Sequence, residues 1–245
     1  MLIIGCDYHP SFQQIAFVDT ATGETGSRRL DHNNGEIQEH YRSLIGQKVL
    51  VGVEATGNMR WFERLLSECG HELWWGDPAA IRAGAVGPQK TDKRDADLIL
   101  RLLMEKRFPR IWVPSVEVRD VRQLGLYRHR LVKICTRVKN QLQALAMNEG
   151  VQRKHRLWSK AGQAELQALA LQPWASVRRN DLQELVGTLD GKIDPLDQSL
   201  QQQAKQRPEA QRLMTHPGVG PVMASAFVVT IREYHRLKNS KQVPA

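Results

Sequence analysis

The segment KVLVGVEA, residues 48–55, constrains the fold of this chain more than any other feature. It is an almost unbroken apolar run, which predicts a strand buried on both faces. The segments on either side, NNGEIQEHYRSLIGQ and NMRWFERLLSECG, have helical spacing and end at or near a glycine. A strand buried on both faces and flanked by helices requires a sheet that is covered by helices.

The rest of the first hundred residues supplies further strands and helices. LIIGCD, QQIAFVD and SRRLD read as three strands, the last two joined by the turn-rich ATGETG, and HELWWGDP reads as another strand. PAAIRAGAV predicts a short helix, and DADLILRLLMEK predicts a longer one. Three consecutive strands followed by helix–strand repeats indicate an α/β fold with a mixed sheet, in which the first and fourth strands can be neighbours.

The chain changes character after Pro114, where breakers become rare and a helical period begins. We expect one apolar stripe on the first long helix, formed by Val118, Val121, Leu124, Tyr127, Leu131, Ile134, Val138, Leu142 and Leu145. Further helix is expected from about 152 to 203, interrupted near Pro173 and Gly191, as a helical arm or coiled coil. Two helical stretches then flank the tight turn PGVG. The expected domains are 1–112, 113–205 and 206–245.

Charge and composition narrow the partners and the compartment. The chain carries a formal net charge of +9, which favours polyanions, with nucleic acid ahead of an anionic membrane surface. Its three cysteines have no CxxC spacing, which favours a reducing compartment. No apolar run approaches the roughly 20 residues of a membrane span, and the N-terminus has no basic region typical of a signal peptide. We therefore expect a cytoplasmic protein without membrane contact.

Four acidic residues occupy positions from which they can converge. Asp7 follows the first apolar strand, and Glu54 ends the run KVLVGVE. Asp92 and Asp95, in KTDKRDADLIL, are three residues apart and share one face of the following helix, whereas Asp97 should point away. If that helix crosses the sheet end where the first and fourth strands finish, four carboxylates meet. Their mutual repulsion and their hard oxygen atoms predict a site for Mg²⁺, with Mn²⁺ as a substitute.

Each acid also has a structural explanation. Asp7 and Glu54 can hold turns at strand ends, and acids in the first turn of a helix interact favourably with the helix dipole. Lys93 and Arg94 can neutralise Asp92 and Asp95 as surface ion pairs, or can meet a phosphate. His9, two residues after Asp7, is expected at most to contact a metal ligand.

Two features suit nucleic acid. A set of cations shares a largely separate face of the first long helix and can follow a phosphate backbone: Arg119, Arg122, Arg130, Lys133 and Arg137. A solvated helix face is the alternative. Gly218 and Gly220, in THPGVG, lie where backbone N–H groups at a helix start could bind phosphate, although a plain turn between helices explains them equally well.

Three motifs, GCDYH, GVEATGN and KTDKRDADLIL, follow one another in that order over the first hundred residues. Together they resemble the DEDD transposases of the IS110 type, the insertion-sequence group that includes the Piv DNA invertase. HPGVGPVMASA resembles the start of that family's second conserved domain, so the likeness spans most of the chain.

The resemblance implies a RuvC-like, ribonuclease-H-type N-terminal domain with a Mg²⁺-dependent carboxylate tetrad. Residue by residue, the tetrad is Asp7, Glu54, Asp92 and Asp95. The resemblance also implies DNA strand cleavage and exchange, in some members guided by a structured RNA. We further expect a homo-oligomer.

One departure from the family pattern concerns its serine nucleophile, which lies in a Ser/Gly-rich motif of the second domain. The sequence reaches Ala245 before such a motif, and Ser240 is not assigned that role. Two alternatives to a complete recombinase therefore stay open. One is a nucleic-acid-binding module without chemistry, and the other is a junction-resolving nuclease in which the acids alone activate water.

Overall fold

A five-stranded mixed sheet with helices on both faces forms the N-terminal part of the chain in the computed structural model. The model describes residues 1–84, 91–152 and 156–231. The elements of this part are β1 (Leu2–Tyr8), β2 (Phe12–Asp19), β3 (Thr25–Asp31), α1 (Glu36–Ser43), β4 (Val49–Glu54), α2 (Arg60–Glu68), β5 (Glu72–Gly76), α3 (Pro78–Ala83) and α4 (Asp92–Met104). The strand order is β3-β2-β1-β4-β5. β1 pairs antiparallel with β2 and parallel with β4, so the mixed α/β sheet and the pairing of its first and fourth strands are confirmed.

The two faces of the sheet have separate hydrophobic cores because side chains alternate along each strand. Ile4 and Val51 belong to one core, together with Tyr41 of α1 and Phe62 of α2. Ile3 and Leu50, each one residue earlier, belong to the other core, which contains Ile81 of α3 and Leu98 of α4. β4 is therefore buried on both faces, as its continuous apolar sequence predicts.

Long helices dominate the remainder. They are α5 (Val116–Asn148), α6 (Lys160–Ala168), α7 (Pro173–Lys205), α8 (Pro208–Met214) and α9 (Pro221–Ile231). Arg128 of α5 pairs with Asp197 of α7, and Lys139, further along α5, pairs with Asp190, which is earlier in α7. The two long helices therefore run antiparallel.

The expected apolar stripe on α5 is wrong at two positions. Tyr127 and Ile134 are 49% and 43% exposed, whereas Cys135 is buried against α7. Successive helical residues point about 100° apart, so Ile134 lies beside the buried face and not on it. The expected stripe repeats slightly faster than the helix turns, and it drifts off the contact surface.

The expected interruption at Gly191 is also wrong, since α7 continues through Gly191 and Pro195, whereas the break before Pro173 is present. A helical glycine costs only about 1 kcal/mol relative to alanine. Leu189 and Ile193, on either side of Gly191, are buried in the core between α5 and α7. Burial of these two side chains offsets the low helix propensity of the glycine.

The chain divides into two compact units, Met1–Val113 and the part from Pro114 onward. A further boundary after residue 205 stays a prediction. Among the described residues, no helix is long and apolar enough to cross a membrane.

Candidate metal centre

β1 and β4 bring Asp7 and Glu54 to the same end of the sheet, where both strands finish. Their parallel pairing places Cys6 opposite Val53, and each acid is the next residue of its strand. Alternate residues of a strand lie on the same face, so Asp7 shares the face of Ile3 and Gly5, which α4 covers. The two carboxylates therefore start from matching positions on that face.

Gly5 sets how closely α4 approaches β1. A Cβ atom on Gly5 would lie 2.4 Å from the backbone nitrogen of Leu100 and 2.5 Å from the carbonyl oxygen of Ala96. Only a glycine allows this backbone contact. α4 starts after Thr91, whose side chain accepts a hydrogen bond from the Arg94 N–H. Asp92, in this first turn, lies close to Asp7 and His9, so the first turn of the helix lies next to the end of β1.

Asp7, His9 and Asp92 form the compact group that results. His9 Nε2 lies 3.0 Å from Asp7 Oδ2 and 3.5 Å from Asp92 Oδ1. One ligand atom from each of the three residues lies within 4.8 Å of the other two. Two of the predicted acids, from elements far apart in sequence, are thus neighbours, and a histidine lies between them.

Asp7 is the most buried carboxylate of this group, with 18% of its side chain exposed against 47% for Asp92. Burial raises the pKa of Asp7, the hydrogen bond and charge of His9 oppose that rise, and the negative charges of Asp95 and Asp92 add to it. The ionised form of Asp7 is therefore less favourable in the fold than in water, and a nearby cation would favour it. This is the electrostatic pattern expected of a site that holds a metal ion.

The acids on α4 differ in exposure as their helical spacing predicts. Asp95 is partly buried and close enough to influence Asp7, although it lies outside the compact group, whereas Asp97 is exposed. Lys93 and Arg94 are exposed on the same turn. Lys90, which precedes this turn, is outside the described residues.

Glu54 has a different neighbour. Its carboxylate lies 3.6 Å from Nη2 of Arg82 on α3, and Glu54 does not belong to the compact group. Arg82 is held in turn, because its Nε donates to the carbonyl oxygen of Pro78. The structure therefore brings together Asp7 and Asp92, places Asp95 near them, and pairs Glu54 with a cation.

The expected contact of His9 with a metal ligand is present, since its imidazole lies against Asp7, whereas the sequence offered no reason to consider Arg82. The spacing of His9, two residues from Asp7, was the available signal, but the turn that brings the imidazole back over the strand end was not evident from it. Arg82 carried no signal, since its pairing with Glu54 depends on how α3 packs beside β4.

The basic face of α5 is largely solvent-exposed. Arg122, Arg130, Lys133 and Arg137 are exposed, and Arg119 is partly buried. Within the described part of the chain, none of the four exposed cations makes an ion pair with a carboxylate. Their positive charge is therefore available to a partner.

The turn between α8 and α9 is tight. Gly218 has a φ of +83°, the left-handed conformation that favours glycine, and Val219 N–H donates to the His216 carbonyl oxygen. Gly220 accepts from Ala224 N–H as α9 begins. This geometry fits a turn between helices, and phosphate binding by Gly218 and Gly220 stays a prediction. Ser240 is outside the described residues.

The donor set of the compact group suits a divalent cation. Carboxylate oxygens are the ligands that Mg²⁺ and Mn²⁺ prefer, and two of them come from different elements, which fixes the centre of the site. A bound ion would offset the two effects that raise the pKa of Asp7, which are first its burial and then the negative charges of Asp95 and Asp92.

Comparison with known proteins identifies the family. Residues 4–148 match the family model of the IS110-type DEDD transposases, and residues 210–245 match the transposase IS116/IS110/IS902 family. The first match alone covers more than half of the chain and contains Asp7, His9 and Asp92.

Individual relatives agree with these matches. The chain is 26% identical to the "Probable family 20 transposase" of Pseudomonas aeruginosa, over 99% of this chain and 72% of the relative. It is also 26% identical to the transposase for insertion sequence element IS1111A of Coxiella burnetii, over 99% of this chain and 66% of the relative. The chain therefore belongs to the IS110 family of transposases.

Proposed function

We propose that the chain is the DEDD-type catalytic part of a DNA recombinase that cleaves and exchanges DNA strands with the help of Mg²⁺ or Mn²⁺. The observation that carries the proposal is the juxtaposition of Asp7 and Asp92 at the sheet end. The sheet order, with an antiparallel β2 beside parallel β1, β4 and β5, supports a RuvC-like, ribonuclease-H-type fold for this unit.

The residues of the tetrad have distinct roles in this proposal. Asp7 and Asp92 hold the metal ion, and Asp95, one helical turn beyond Asp92, completes the ligand set from α4. Glu54 joins when its carboxylate leaves Arg82, which is then free to meet a DNA phosphate. When bound, the divalent ion supplies Lewis-acid polarisation of a phosphodiester oxygen.

Metal-dependent DNA cleavage tests this proposal. We expect Asp7→Asn and Asp92→Asn each to abolish metal-dependent cleavage and strand transfer. Asp97→Asn is the matched control, since it removes the same charge from an exposed position on the same helix. Activity that persists in both site variants would refute the tetrad assignment.

We also propose that the basic face of α5 binds a nucleic-acid backbone, either DNA or a structured guide RNA. Arg130, Lys133 and Arg137 support this role because they are exposed and form no ion pair with any residue that the structure describes. Each neutralised phosphate contributes about 0.9 to the slope of log affinity against log salt on duplex DNA. The triple change of these residues to Gln should lower that slope by about 2 to 3.

A matched control removes equal charge elsewhere on the helical unit. This control is a triple variant in which three exposed cations of α7 are changed to Gln, namely Arg178, Lys192 and Lys205. Equal loss of affinity in both triple variants would indicate general electrostatic attraction and not a defined surface. Filter binding with a DNA duplex and with a folded RNA separates the two ligands.

Two other functions make different predictions. A binding module gives salt-dependent affinity without cleavage at any metal concentration, which the exposed basic face would be sufficient to explain. A junction-resolving nuclease cleaves four-way DNA junctions with this chain alone. The expected homo-oligomer is tested by light scattering with and without nucleic acid.

A further inference from the structure

The imidazole of His9 occupies the position where the two carboxylates converge. Its Nε2 is 3.0 Å from Asp7 Oδ2 and 3.5 Å from Asp92 Oδ1. Asp7 belongs to β1 and Asp92 to α4, whereas His9 belongs to the turn between β1 and β2. Three separate parts of the backbone therefore direct one ligand atom each toward a common point.

We propose that His9 is itself a ligand of the metal ion, so that the centre has one nitrogen donor besides its carboxylate oxygens. This inference rests on the proposed metal site and adds a residue outside the carboxylate tetrad. In an octahedral site with bonds of about 2.1 Å, neighbouring ligand atoms lie about 3.0 Å apart. The separations of 3.0 and 3.5 Å between His9 Nε2 and the two carboxylate oxygens are close to that value.

The hairpin holds the imidazole in this orientation. The His9 N–H donates to the Phe12 carbonyl oxygen at 2.9 Å, which closes the turn between β1 and β2. The His9 ring stacks on the Phe12 ring, with centroids 4.5 Å apart and an interplanar angle of 21°. The guanidinium carbon of Arg29 lies 3.7 Å from the centroid of the Phe12 ring, so the ring that supports His9 is itself packed. Nε2 therefore faces the carboxylates because of the fold.

The alternative is that His9 only donates a hydrogen bond to Asp7 and orients it. A residue with that single role needs to contact Asp7 alone, yet Nε2 also approaches Asp92, on an element that reaches the site independently. As a ligand, His9 uses the unprotonated Nε2 and carries its proton on Nδ1. The side chain is 36% exposed, so the Nδ1–H can donate a hydrogen bond to water.

A nitrogen donor changes which metal the centre prefers. Mg²⁺ takes oxygen ligands, while imidazole is a better ligand for transition metals, whose affinities rise from Mn²⁺ towards Co²⁺. The wild-type centre should therefore bind Mn²⁺ and Co²⁺ more tightly than Mg²⁺. The ratio of these affinities should fall when the imidazole is removed.

Electron spin-echo spectroscopy of bound Mn²⁺ tests the inference without any activity measurement. The probe is Mn²⁺ alone, added to the full chain, and the variants are His9→Gln, Asp7→Asn and, as the control, Asp97→Asn. Wild type and Asp97→Asn should show the modulation of a directly bound ¹⁴N nucleus. His9→Gln should lose it while still binding Mn²⁺. Competition titrations should show the preference for Mn²⁺ over Mg²⁺ reduced about tenfold in His9→Gln.

The outcomes separate this inference from the proposed function. Mn²⁺ that binds in an Asp7-dependent manner but shows no ¹⁴N modulation in the wild type would overturn the role of His9 and leave the carboxylate site intact. An unchanged Mn²⁺/Mg²⁺ preference in His9→Gln would overturn it equally. Mn²⁺ binding that Asp7→Asn does not weaken would overturn both the ligand role and the proposed site. Circular dichroism of each variant establishes that it is folded.

Discussion

Replacement of Gly5 by alanine should separate α4 from the sheet and disable the candidate centre. The added Cβ would lie 2.4 Å from the Leu100 nitrogen and 2.5 Å from the Ala96 oxygen, both backbone atoms that cannot rotate away. Ordinary contact begins at 3.4 Å, so the helix must move by about 1 Å. Such overpacking costs about 1–3 kcal/mol of stability. Asp92 moves with the helix while Asp7 stays on β1, and a displacement of about 1 Å in a site can cost about 100-fold in rate.

Urea unfolding, Mn²⁺ titration and DNA cleavage together measure this effect. Gly57→Ala is the control, because a Cβ there meets nothing within 4 Å in the same unit. We expect Gly5→Ala to be destabilised, to bind Mn²⁺ more weakly and to cleave DNA about 100-fold more slowly, with Gly57→Ala near wild type. Wild-type stability and Mn²⁺ affinity in Gly5→Ala would refute the close approach of α4 to β1.

Three further substitutions have definite expected outcomes. Burial and the nearby carboxylates raise the pKa of Asp7, so its ionisation costs stability as pH rises through that pKa. Without metal, Asp7→Asn should therefore be more stable than wild type at pH 8 and similar to it at acidic pH. With Mn²⁺ bound, wild type should be the more stable of the two proteins. Urea titrations that show no pH-dependent difference in stability between them would contradict this. Arg128 donates two hydrogen bonds to Asp197, at 2.6 and 3.0 Å, so Arg128→Gln should lower the free energy of unfolding by about 1–2 kcal/mol. In a double-mutant cycle with Asp197→Asn, the interaction energy of the pair should account for most of that loss. Gly191→Ala should stabilise α7 by about 0.5–1 kcal/mol, since a Cβ there meets nothing within 4 Å, and a lower melting temperature would count against the continuous helix.

Much of the sheet unit was predictable because its signals are local. The unbroken apolar run of β4 required cover on both faces, and the hairpin of β2 and β3 left β1 free to pair with β4. The i and i+3 spacing of Asp92 and Asp95 places both on one side of α4 wherever that helix packs.

The long helices were predictable in kind but not in detail. Helical period and the absence of breakers indicate α5 and α7, yet the choice of Cys135 over Ile134 as a buried residue depends on where α7 lies. The continuation of α7 through Gly191 has the same origin, because burial between two helices outweighs a propensity of about 1 kcal/mol.

The sequence alone determined which residues of this transposase are predicted to hold a metal, namely acids at two strand ends and on one helical face. Only the tertiary structure decided which of them meet. The contact of α4 with Gly5 brings Asp92 to Asp7, the β1–β2 turn directs His9 between them, and α3 gives Glu54 an arginine partner. These arrangements depend on backbone approaches between segments far apart in sequence, at distances of a few ångströms, and no local pattern records such distances.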